Sequence, residues 1–335
     1  MIDSTPIFHG GNPAAAEARF GVPKDGWLDL STGINPVAYA PGEIPAAVLH
    51  RLPTPSDLDA LLAAARVAYN VPDHAAIVAS PGTQALIGLV PTLFSPGDVT
   101  VLAPTYGEHA PAWAAAGHTV HDTASICAQA ALPASCAVVV HPNNPDGNTQ
   151  TVEGLLAFAE ELHDRGGALV VDEAFADVCP ELSVTPHAGC DGLIVLRSFG
   201  KFYGLAGVRL GFAVCTPAVA EQIRLKLGPW AVSGPAIWAG TEALNDDAWG
   251  AASRVRLKHD AARLDELLHA AGLSLVGGTD LFRLVKSPDA QAVFETLARA
   301  GILTRPFPTH PTWLRFGLPG DEPDWARLQA VLSDL

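Results

Sequence analysis

Residues 193–212, LIVLRSFGKFYGLAGVRLGF, constrain this chain more than any other stretch. Residues 193–196 form a short apolar run with β-branched members, which reads as a buried strand, and Arg197-Ser198-Phe199-Gly200 breaks that pattern where a strand would end. Lys201 stands just past the break. Between glycines and ahead of a mostly apolar segment, its ammonium is disfavoured and its amine is able to attack a carbonyl, which is Schiff-base chemistry. Arg209 adds a cation that stays charged and whose planar fork suits a phosphate. Taken alone, the same residues also describe a lysine on a surface turn and an arginine capping a strand.

A second stretch decides between the two. Residues 168–171 are apolar and run into Asp172-Glu173, and a carboxylate at a strand end is costly to bury without a cationic partner. A protonated pyridine nitrogen is such a partner. The separation of Asp172 from Lys201 fits one excursion between two strand ends that open on the same side of a sheet.

Four motifs in order carry a family resemblance. Ser80-Pro81-Gly82-Thr83-Gln84, His141-Pro142-Asn143-Asn144-Pro145, Asp172-Glu173-Ala174-Phe175, and Ser198-Phe199-Gly200-Lys201 with Arg209 resemble those of fold-type I enzymes that use pyridoxal 5'-phosphate (PLP). The similarity spans about residues 8–319 and is nearest to the histidinol-phosphate aminotransferase group with its cobalamin-pathway relative, threonine-phosphate decarboxylase. It implies an α/β fold: a large domain with a mostly parallel sheet between helices, plus a smaller C-terminal α/β domain. By the same resemblance Lys201 attaches the cofactor, Asp172 partners its ring nitrogen, Tyr106 stacks on the ring and Asn144 donates to its phenolic oxygen. Gly82, Thr83, Gln84, Ser198 and Arg209 are matched to the cofactor phosphate. His9 in His-Gly-Gly-Asn, Asn35 in Ser-Thr-Gly-Ile-Asn-Pro, Arg305 and Arg315 become candidate contacts for the substrate's phosphate and carboxylate. Each has an ordinary alternative, such as a solvated terminal histidine for His9, a turn residue for Asn144, or a packing aromatic for Tyr106.

Three departures from the family pattern stand out. Leu52 occupies the place of a tyrosine that reaches the partner subunit's cofactor phosphate, so that contact does not carry over. Phe175 replaces a tyrosine that bonds the phenolic oxygen, and Gly200 replaces a hydroxyl residue often found before the lysine. With the His9 and Asn35 motifs, Phe175 favours decarboxylation of L-threonine O-3-phosphate to (R)-1-aminopropan-2-yl phosphate for cobalamin. Transfer of an amino group to a 2-oxo acid is the alternative, and a non-catalytic PLP-fold binding protein is the weaker third.

Composition bounds the rest. A chain of 335 residues with 49% apolar content supports two domains and a substantial core. The net charge of -15 argues against a nucleic-acid surface, so small anions must be met by a few placed cations. Nothing at the start reads as a signal peptide and no apolar run is long enough to span a bilayer, so the expectation is a cytoplasmic protein without membrane partners, homodimeric by resemblance. Five scattered cysteines suggest neither disulfides nor a metal site and are expected to be small buried hydrophobes. Short apolar runs alternating with helical stretches predict the parallel sheet, with strands at 99–102, 137–140, 169–171, 193–196 and 210–214. The expected organisation is an arm at 1–40, a cofactor-binding domain at 41–224 and a small domain at 225–335.

Overall fold

The computed structural model describes residues 10–335. Its strands are β1 (Leu28–Asp29), β2 (Ala76–Ser80), β3 (Asp98–Leu102), β4 (Thr119–Thr123), β5 (Cys136–Val140), β6 (Leu169–Asp172), β7 (Leu193–Ser198), β8 (Gly211–Cys215), β9 (Ser274–Thr279), β10 (Phe282–Lys286), β11 (Ile302–Leu303), β12 (Arg305–Pro306) and β13 (Trp313–Gly317). Two compact units divide the chain.

The larger unit, Ala38–Asn144 with Asn148–Ala251, is built on one seven-stranded sheet in the order β2-β8-β7-β6-β5-β3-β4. From β7 through β4 all neighbours are parallel, whereas β8 runs antiparallel to both β7 and β2. The inner strands are buried at every position, as both faces of a sheet covered by helices require. Val78, Leu86, Val101, Trp113, Val138, Val170, Ile194 and Ala213 share one apolar core on the sheet. The helix Pro55–Ala68 starts with a capping box in which the Thr54 hydroxyl accepts from Asp57 N–H and the Asp57 carboxylate accepts from Thr54 N–H.

The smaller unit comprises the described residues up to Val37, Pro145–Gly147 and Ala252–Leu335. Its four-stranded sheet runs β12-β13-β10-β9, all antiparallel, and β1 pairs in parallel with β11. The helix Ala290–Arg299 buries Val293, Phe294 and Leu297 as one apolar stripe.

The expected fold class is met, and several local expectations change. The described part of residues 1–40 is more than an arm: up to Val37 it is integrated with the C-terminal residues through the β1–β11 pair and the buried Leu30. The division later in the chain falls at 251 instead of 225 because the helices Pro217–Leu227 and Gly234–Leu244 pack on the large unit. Ala220 and Ile223 enter its core, and Gly240 lies so near Leu61 and Leu210 that a Cβ would be 2.9 and 2.4 Å from their methyl carbons. The strand expected to stop at 196 continues through Arg197 to Ser198, for an electrostatic reason given below. Cys136 and Cys215 are buried as expected, but Cys127 and Cys190 are exposed and Cys179 is half-buried. Among the described residues no helix is long and apolar enough to cross a membrane.

Candidate active site

In the large unit, parallel strands bring the motifs to one sheet edge. Asp172 ends β6 and Ser198 ends β7, in a register that pairs Val140 with Asp172 and Asp172 with Leu196. Tyr106 and Asn144 follow the ends of β3 and β5. This is the edge where parallel α/β sheets hold ligands. Asn143 joins the last two loops: its amide donates to Pro104 O at 2.9 Å and its oxygen accepts from the Thr105 hydroxyl at 2.6 Å. Asn143, the first of the motif's two asparagines, thus clamps the two loops together.

Asp172 is 3% exposed, and its carboxylate is held on both oxygens. Oδ1 accepts from Ala174 N–H at 3.1 Å, and Oδ2 lies 2.9 Å from His109 Nε2. His109 is 1% exposed, and its ring meets Tyr106 edge-on at 6.1 Å. Sequence reasoning missed His109, which stands three residues beyond Tyr106 at the start of the helix His109–Ala115. The Tyr106 hydroxyl donates to Gln84 Oε1 at 3.2 Å, and Gln84 Nε2 donates to Glu108 at the same distance, so the loop after β3 is tied to the helix Thr83–Leu89.

Lys201 lies half-buried in the short helix Phe199–Phe202, between the buried Gly200 and Phe202. The following turn delivers Arg209 in the left-handed region at φ 58°, an uncommon conformation for a bulky side chain. Gly82, at φ +80°, receives the guanidinium: a Cβ there would lie 2.5 Å from Arg209 Nη2. Ser80 Oγ donates to the carbonyls of Gly82 and Gly211 at 3.0 and 3.3 Å, fixing the glycine turn to β8. Gly82, Thr83 and Arg209 therefore form one corner, with Ser198 at the neighbouring strand end across from Gly211.

Behind this edge lies an ionic cluster that the sequence reading did not anticipate. Arg197 is buried at 3% exposure and pairs with Glu173 at 2.8 Å and Asp177 at 3.0 Å, its guanidinium stacked over Tyr69. Burial opposes its charge, but Asp177 and Glu173 outweigh burial and hold its pKa above the ordinary value. Glu173 also accepts from Ser183 and Thr185 hydroxyls and from Val184 N–H. These partners explain why β7 continues through an arginine.

The small unit carries the remaining candidates, apart from His9, which lies outside the described residues. Asn35 is 1% exposed, and its oxygen accepts from Val37 N–H at 3.1 Å and from Arg256 Nη2 at 2.9 Å. Arg305 and Arg315 are direct cross-strand partners between β12 and β13, both buried. Arg315 Nη2 donates to Ser31 O at 2.8 Å. Burial first and the like charge of Arg305 second pull the Arg315 pKa well below its ordinary value, against a smaller pull upward from Asp29. Leu52 is 61% exposed on the large unit.

The chain is similar to known proteins in both sequence and fold. The chain is 44% identical to a threonine-phosphate decarboxylase of Sinorhizobium sp, covering 98% of each chain, and 43% identical to one of Pseudomonas aeruginosa, covering 97% of this chain and 96% of the other. The solved histidinol-phosphate aminotransferase of Sinorhizobium meliloti in complex with pyridoxal-5'-phosphate superposes with a TM-score of 0.84 at 21% identity, over 99% of this chain and 95% of its own. Residues 51–330 match aminotransferase class I and II, a span that takes in the whole edge from Gly82 to Arg209, and the chain belongs to that family.

Proposed function

We propose that the protein is a PLP-dependent carbon-carbon lyase that decarboxylates L-threonine O-3-phosphate to (R)-1-aminopropan-2-yl phosphate, a cobalamin precursor. The observation that carries this reading is the identity to two threonine-phosphate decarboxylases along essentially the whole chain. The large unit's residues fit the cofactor: a buried carboxylate at Asp172, an amine at Lys201, and a glycine at 82 without the side chain that would fill the corner at Arg209. When bound, PLP supplies an electron sink that lets a bond at the substrate's Cα break heterolytically.

The chain's own residues then have distinct tasks. Lys201 would hold the cofactor through its amine. Asp172, oriented by His109, keeps a proton on the ring nitrogen, and a buried carboxylate is well suited to that because its partner is a cation. Arg209, with Gly82, Thr83, Gln84 and Ser198, would hold the cofactor phosphate, with Asn144 as the donor to its phenolic oxygen and Tyr106 as the aromatic against its ring. Arg305, Arg315 and Asn35 take the substrate's phosphate and carboxylate, and His9 joins them. Two guanidinium groups set opposite each other in a protein interior repel, and an anion bound between them relieves that cost. The same reading carries a cytoplasmic homodimer.

The test gives PLP-loaded protein L-threonine O-3-phosphate with 2-oxoglutarate and follows carbon dioxide and glutamate separately. Carbon dioxide without glutamate is expected, and a Lys201→Ala variant should release none. Glutamate without carbon dioxide would replace this reading with an aminotransferase.

A further inference from the structure

Gly200 is the one position beside Lys201 where the chain departs from the hydroxyl residue common in its family, and the structure gives that departure a cause. A Cβ at Gly200 would lie 2.7 Å from Ala206 Cα and 3.3 Å from Ala206 N, distances that require something to shift. The turn Ala206–Val208 therefore packs directly on the backbone of the lysine's helix. Arg209 is bound to the same turn twice: its backbone N–H and its Nη1 both donate to Ala206 O, at 3.4 and 3.2 Å. Its guanidinium in turn occupies the space that a side chain at Gly82 would need.

Which side yields to an added methyl follows from the packing. The lysine's helix is held by Phe199 stacked on Tyr203 at 4.6 Å, by Tyr203 stacked on Trp249 at 5.5 Å, and by Tyr39 N–H donating to Tyr203 O at 2.9 Å. The turn is more open: Ala206 is half-buried, Gly207 is exposed, and a Cβ on Gly207 would meet nothing within 4 Å. An added methyl at 200 therefore displaces the turn, and Arg209 moves with Ala206.

We propose that Gly200 is a positioning residue for the phosphate corner: its missing side chain lets the Ala206–Val208 turn seat on the lysine's helix, and that seating sets where Arg209 stands against Gly82. The inference rests on the cofactor reading above. It also explains why a hydroxyl at 200 is not simply a lost hydrogen bond here, because there is no room for one.

The experiment measures equilibrium affinity of the apoprotein for PLP and for pyridoxal, which lacks the phosphate, by absorbance titration, with near-ultraviolet circular dichroism as the check on folding. Gly200→Ala should weaken PLP at least about tenfold, the effect of disturbing a charge-assisted contact, while pyridoxal changes less than about threefold. Gly207→Ala, in the same turn but without a clash, should retain both affinities. PLP affinity within about twofold of the parent's would overturn the proposal, as would equal losses for PLP and pyridoxal, since the first leaves Arg209 unmoved and the second points to Lys201. A Gly200→Ala protein that does not fold also counts against it, because the proposal requires only the turn to move. Failure of the parent protein to bind PLP would instead remove the cofactor reading itself.

Discussion

Arg197 in the large unit and Arg315 in the small unit are each 3% exposed, yet their pKa values move in opposite directions. Around Arg197 the chain supplies Glu173 and Asp177, whose attraction exceeds the cost of burial. Around Arg315 it supplies another arginine directly across the strand pair, whose like charge adds to that cost and outweighs the opposing pull of Asp29. An interior charge neutralised by its own chain is part of the architecture. One set against a like charge lowers stability in the absence of a ligand, and such a cost is tolerated where an anion binds. On this difference Arg197 is read as part of the architecture and Arg315 is proposed as a contact for an anion.

The sharpest way to break that comparison is Arg197→Met. Removing one partner of a buried ion pair leaves Glu173 and Asp177 without their cation, and should cost about 3–5 kcal/mol of folding stability. Denaturant unfolding of the apoprotein checks this, with the midpoint expected well below the parent's. A midpoint equal to the parent's would mean that Arg197 and Arg315 are not different in kind.

Arg315→Met should give the opposite pattern. Folding stability should fall less than in Arg197→Met, since loss of the bond to Ser31 O and of the attraction of Asp29 is set against relief from Arg305. Turnover suffers instead: kcat/KM for L-threonine O-3-phosphate falls by about 2–5 kcal/mol of transition-state stabilisation, through loss of a desolvated charge contact. Steady-state kinetics beside the unfolding curve decide it, and a variant that is unstable but fully active would reverse the assignment.

The two regions also differ in how far they could be read beforehand. Asp172, Ser198 and Lys201 were legible because strand ends are marked by apolar runs that stop at polar residues, and four motifs fell at such ends in order. Arg197 was not, since a single arginine after LIVL reads locally as the end of a strand, and its carboxylate partners arrive from a loop beyond the neighbouring strand. His109 was hidden in an alanine-rich helical segment whose composition suggests packing alone. Arg305 and Arg315 were individually visible as arginines within apolar segments, but that they face each other depends on the β12–β13 register, which no local pattern states. The position of β8 is similar: its apolar run gave a strand, while its antiparallel direction follows from the chain's return past Arg209.

His141 offers the smallest test and probes Arg197 through Glu173. It is fully buried, its Nε2 lies 3.0 Å from Leu182 O and its Nδ1 accepts from Gln150 N–H at 3.3 Å, which is the pattern of a neutral ring. Burial lowers its pKa; the bond to Leu182 O and the charge of Glu173 oppose that but do not overcome it. The unfolded chain, with a histidine pKa of about 6.5, then binds the proton more readily than the folded one. Stability from this group is accordingly present above about pH 6.5 and is lost as pH falls toward the folded value, with a slope of at most about 1.4 kcal/mol per pH unit. Unfolding free energies of the parent measured between about pH 5 and 8 should show that decline, and His141→Gln should flatten it. In the Arg197→Met protein, Glu173 no longer shares its charge with a guanidinium, so it draws a proton to His141 more strongly and the slope shrinks. If the slope is the same with and without Arg197, the guanidinium is not what holds the field of Glu173 in check, and the large unit's solution to its buried charge would need another source.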